Sequence, residues 1–137
     1  MKIEEFTICL HCGSDREVTN KQMQLLKGIE KKYKVHWNNR IDRYPYLYSS
    51  YSQLVNHSIV TSHTEWVILM NDRTFPSLDE IDKMIFLLEN GMSCVFLHAV
   101  AFMGFSKELI RKIGWFDERF KDGGWEDRDW VWRLTEA

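Results

Sequence analysis

The sequence predicts an α/β fold built on a mostly parallel sheet. Two short, continuous apolar runs, Phe6–Leu10 and Trp66–Met70, have strand length and no alternation, as strands buried on both faces do. Stretches of helical period separate such runs along the chain, and that alternation favours crossover connections and parallel pairing.

Taken in order, the Phe6–Leu10 strand ends in His11-Cys12-Gly13-Ser14-Asp15, a turn-rich stretch of the kind that lines ligand sites at strand carboxyl ends. Thr19 or Asn20 then caps a helix with Met23, Leu26, Ile29 and Tyr33 on one stripe. Lys31, Lys32 and Lys34 complement the dipole at its end. Val35-His36-Trp37 reads as a second strand, followed by a loop from Asn38 to Arg43 and an aromatic stretch, Tyr44-Pro45-Tyr46-Leu47-Tyr48. Ser49–Val60 reads as a helix that places Ser52 and Asn56 on one face. The apolar run from Trp66 to Met70 reads as the central strand and leads into Asn71-Asp72-Arg73-Thr74-Phe75-Pro76. Ser77-Leu78-Asp79-Glu80 is a capping box, opening a helix with Ile81, Met84, Ile85 and Leu88 inward and Gly91 at its stop. Ser93–His98 and Val100–Phe105 read as strand segments, with His98 a hydrogen-bonded structural residue. Ser106 caps a short helix of Leu109, Ile110 and Ile113 that Gly114 ends.

A chain of 137 residues has the size of one domain, with an apolar content of 45% that suits a packed core. Its net charge of −2 gives no support to a broad nucleic-acid surface, which needs a basic excess. Cys9, Cys12 and Cys94 are an odd number without a secretory leader, which points to reduced thiols and a cytoplasmic protein. The Cys9-x-x-Cys12 spacing has no second pair, so it reads as strand packing rather than a zinc site. No apolar run is long enough to cross a bilayer. Peripheral membrane attachment and homo-oligomerisation stay open.

The most informative stretch lies near the C-terminus. Gly114-Trp115-Phe116-Asp117-Glu118-Arg119-Phe120 leads through Gly123-Gly124 into Trp125-Glu126-Asp127-Arg128-Asp129 and an amphipathic run to Leu134. Acids at a helix start are favoured by the dipole, and Asp129 can pair with Arg133 one turn on. The compound pattern also resembles the C-terminal signature of GT-A-fold glycosyltransferases, particularly the family 2 type.

The resemblance implies a compact three-layer α/β/α sandwich of one domain, residues 1–137. It implies transfer of a sugar from a nucleoside-diphosphate donor to an acceptor hydroxyl, with no nucleic-acid partner. Asp127 falls where inverting members carry the general base, and a carboxylate there takes the acceptor's proton as attack proceeds. Glu126 and Asp129 hold it in place, and Trp125 and Trp130 offer stacking faces or core. Asn56 matches a residue near the nucleotide edge, against the alternative of a solvent-facing or cap-bonded amide. Asp42 is a loose match to the acid that binds the base.

The family's Asp-x-Asp motif falls on Asn71 and Arg73, with Asp72 between them. Mn²⁺ or Mg²⁺ on Asp72 is one expectation, since hard carboxylate oxygens suit these ions. Arg73 taking over part of the metal's work on the diphosphate is another. The altered motif, and a chain that stops three residues after Leu134 where typical members continue, leave a sugar-nucleotide-binding module without turnover as the rival expectation.

Overall fold

The computed structural model describes residues 2–12, 24, 27–41, 51–71, 76–97, 102–117 and 125–136; at 11, 12, 39–41, 51, 71 and 125–128 it describes the backbone only. The strands are β1 (Glu5–Cys12), β2 (Lys34–Ile41), β3 (Trp66–Asn71), β4 (Cys94–Phe96) and β5 (Phe102–Ser106). The helices are α1 (described at 24 and 27–30), α2 (Tyr51–Val60), α3 (Leu78–Glu89), α4 (Lys107–Ile113) and α5 (Trp125–Glu136).

One five-stranded sheet runs in the order β2-β1-β3-β5-β4. β1 pairs parallel with β2 and β3, whereas β5 is antiparallel to both β3 and β4. The sheet is therefore mixed, correcting the expectation of a mostly parallel one. The reason is local: only residues 97–101 separate β4 from β5. That span is too short for the crossover that parallel neighbours require.

The faces of the sheet carry separate cores. Phe6, Ile8, Leu10, Ile68, Met70 and Phe102 pack with Ile29 of α1 and with Ile81, Met84, Ile85 and Leu88 of α3. Successive residues point to opposite faces, so Cys9, Val67, Leu69, Met103 and Phe105 meet α2, α4 and α5 on the other side through Val55, Ile59, Leu109, Ile110 and Trp130. At Gly104 a Cβ would lie 2.7 Å from Met84 Sδ, so a glycine lets α3 sit closely on β5.

Most elements follow their local chemistry. The Ser77 hydroxyl accepts from Glu80 N–H and the Glu80 carboxylate accepts from Ser77 N–H, both at 3.1 Å, completing the capping box of α3. Ser106 sits at the N-cap of α4 without a side-chain cap bond, and Gly114 ends that helix at φ +93°. β2 is longer than expected: Asn38 to Ile41 continue the strand instead of forming a loop. Its register with β1 explains this, because Cys9 to Cys12 align with those four residues and extend the ladder to its full eight pairs.

Candidate functional site

The stretch from Ile113 to Asp117, which leads toward the acidic run, is braced from two helices. Asn56 in α2 is buried, and its Nδ2 donates to Phe116 O at 2.8 Å while Phe116 N donates to its Oδ1 at 3.0 Å. A side-chain amide carries one acceptor and one donor side, so it can pair with a single residue's backbone as a neighbouring strand would. Asn56 thus braces the loop. The face it shares with Ser52 points inward. Ser52 Oγ is buried and has no hydrogen-bond partner among the described residues.

α5 supplies the second brace. Trp130 is fully buried, stacks on the Phe116 ring at 4.9 Å and 3°, and donates its Nε1 hydrogen to Gly114 O at 3.2 Å. Trp130 is therefore core and not an acceptor-stacking face. Arg133 donates Nη1 to Ile113 O at 2.8 Å and Nη2 to Trp115 O at 2.6 Å. Its Nη2 also pairs with Asp129 at 2.9 Å, the i, i+4 bond that the spacing suggested. A Cβ at Gly114 would meet Arg133 Nη1 at 3.1 Å, so that position needs glycine for its φ and for the guanidinium's approach. Planar Arg suits this work because its fork reaches two carbonyls and a carboxylate together.

Sequence reading found Asp129–Arg133 and the cap at Gly114. It missed that Arg133 reaches past Asp129 to two carbonyls of the preceding loop. The signal available was a cation in the last turn of a helix following a carbonyl-rich turn, which many solvated arginines share.

The expected site residues fall as follows. Glu126, Asp127 and Trp125 open α5, and Asn71 closes β3; their backbones are described and their side chains are not. Asp72 and Arg73 lie outside the described residues, as do Asp42, Tyr44–Tyr48 and His98. Asn71 aligns with His11 of β1 at the carboxyl ends of adjacent parallel strands. Open α/β sheets gather ligands at that edge.

Among the described residues no group of three His, Cys, Asp or Glu side chains is arranged to hold a metal ion. Cys9 is buried beside Ser62 at 3.3 Å, consistent with a packing role. No described helix is long and apolar enough to cross a membrane. Comparison with protein-family models and with curated proteins gives no match to this chain.

Proposed function

We propose that this protein is a GT-A-type glycosyltransferase that moves a sugar from a nucleoside diphosphate to an acceptor hydroxyl, with Asp127 as general base. The observation that supports this best is the placement of the acidic run. Glu126 and Asp127 open a helix whose next turns are tied to the carbonyls of Ile113, Gly114 and Trp115 by Trp130 and Arg133. A base must be held within hydrogen-bond reach of the proton it takes, and such bracing limits its freedom to drift.

In the proposed reaction the acceptor oxygen attacks the anomeric carbon while its proton passes to the Asp127 carboxylate. The bond to the diphosphate oxygen breaks, and the anomeric centre inverts. Glu126 adds negative charge beside Asp127, which favours proton uptake. Asp129 is engaged with Arg133 and contributes through the position of the helix.

The donor diphosphate is assigned to the edge where β3 ends, at Asn71, Asp72 and Arg73. A single carboxylate beside a guanidinium suits a weakly held Mn²⁺ or Mg²⁺ on Asp72. Such an ion would neutralise charge on the leaving diphosphate, and Arg73 offers a second cation for the same oxygens.

Nucleoside-diphosphate release from a panel of nucleotide sugars, with and without an added acceptor, tests the reading. Turnover that falls about 100-fold or more in Asp127→Asn is the expected outcome. Turnover unchanged in Asp127→Asn removes the base assignment. The altered residues at 71–73 favour a second reading, a sugar-nucleotide-binding module; tight binding without turnover in the unaltered chain selects it.

A further inference from the structure

The two edges of the sheet differ. β4, at one end, is three residues long, and so short an edge offers little to pair with. β2, at the other, runs eight residues in unbroken register with β1, without a proline, a glycine or a bulge. Lys34 at its start lies 3.5 Å from the Glu5 carboxylate, which offsets the charge that would otherwise guard the edge. Among the described residues no strand pairs with the outer side of β2.

Both faces of β2 are already engaged. Val35 and Trp37 pack against the α1/α3 core. On the other face Asn38 Nδ2 donates to Ser58 O at 2.7 Å and to Thr61 Oγ1 at 2.9 Å, and His36 Nε2 lies 2.9 Å from Glu5 Oε2. What is left is the outer row of backbone N–H and C=O groups, which another extended strand can satisfy. On the α2 side β2 borders a groove of about 420 Å³ lined in part by His36, Asn38, Thr61 and Val60, and Val60 is 61% exposed.

Identical chains most often associate as closed two-fold dimers, and in such a dimer an edge strand meets itself antiparallel. The axis stands perpendicular to the sheet and keeps each face on its own side, so a residue opposes only one from the same face. That leaves few registers. Centred on Trp37, the pairing sets Lys34 opposite Arg40 and opposes like charges at both ends. Centred on His36, it joins only residues 34 to 38. Centred on Asn38, it joins residues 35 to 41, sets Val35 opposite Ile41, and carries Lys34 past the last residue of the other strand.

We propose that β2 is a self-association edge, through which two copies of this protein join antiparallel about Asn38 into one continuous sheet. The contact is small, so the dimer is weak and depends on concentration. It uses none of the residues assigned to the transfer reaction and stands independently of that reading.

Sedimentation equilibrium of the full chain tests this. A monomer–dimer equilibrium is expected, with a dissociation constant that rises about tenfold in His36→Lys, because the register sets position 36 opposite Arg40 twice in each dimer. Adding Arg40→Glu to His36→Lys turns both contacts into opposite-charge pairs and is expected to restore the dimer. A monomer at every concentration up to the solubility limit overturns the proposal. So does a dimer that His36→Lys leaves unchanged, or one that the added Arg40→Glu fails to restore. Slow amide exchange along the outer row of β2 in dilute monomer overturns it too, since the edge is then filled from within the chain.

Discussion

The two faces of the sheet are built from different chemistry. On the α1/α3 face the buried contacts are aliphatic and aromatic, and the polar ones lie at its edges: the capping box that starts α3, Asp82 with Lys32 and Tyr33, and Glu89 with Ile3 N–H. On the α2/α4/α5 face, apolar packing is interleaved with buried polar ties: Asn56 to Phe116, Trp130 to Gly114, and Thr7 to Thr64. Apolar contacts are non-directional and tolerate small shifts, whereas hydrogen bonds fix distance and angle. The second face is therefore the one suited to holding a loop and a helix start in one geometry, and the acidic run belongs to it.

The contrast can be broken by matched truncations. Trp130→Ala is expected to cost about 3–5 kcal/mol in urea unfolding. It should also speed amide exchange at residues 113–117. Leu88→Ala on the other face is expected to cost about 2–5 kcal/mol and to leave exchange at those residues unchanged. If both substitutions loosen 113–117 equally, the difference between the faces has no local consequence.

Asn56→Leu comes next in size. It keeps the volume but leaves Phe116 N–H and C=O without their partners, for an expected loss of about 3 kcal/mol. A loss near zero would mean that water replaces the amide and that the brace is dispensable. Ser77→Ala, on the apolar face, removes one side of the capping box and should cost about 1 kcal/mol. Its thermal midpoint shift should leave exchange at 113–117 untouched.

The smallest effect is a pH dependence at the periphery of the α1/α3 face. Burial acts to raise the Asp82 carboxyl, but bonds from Lys32 at 2.8 Å and Tyr33 Oη at 2.5 Å outweigh it and lower the pKa. Burial and the same contact push the Tyr33 phenol up. A depressed carboxyl contributes stability above its unfolded value and loses it as pH falls through the folded one. Urea midpoints followed from neutral into the carboxylate range should therefore decline less steeply in Asp82→Asn than in the unaltered chain. Parallel slopes would show that Asp82 carries no such share.

Much of the apolar face was legible from local pattern. The Phe6–Leu10 and Trp66–Met70 runs, the Ile81–Leu88 stripe and the box at Ser77 each carry a local signal, in run length, helical spacing or cap residues, that agrees with the element formed. The polar face was less legible because its ties join residues far apart in sequence. Asn56 and Phe116 are separated by 60 positions, and nothing in the composition of α2 distinguishes a brace from a ligand contact. Likewise, Asn38 and Arg40 read as loop residues until pairing with β1 extends the strand through them.

Local chemistry alone determined the α/β class, the positions of most elements and the acidic run that opens α5, because helical period, caps and apolar runs act within a few residues. Strand order, the brace at Asn56 and the bonds of Asn38 to Ser58 and Thr61 were decided only in three dimensions. Each depends on which distant backbone and side-chain groups meet once the sheet is assembled, and on which hydrogens those meetings have already engaged.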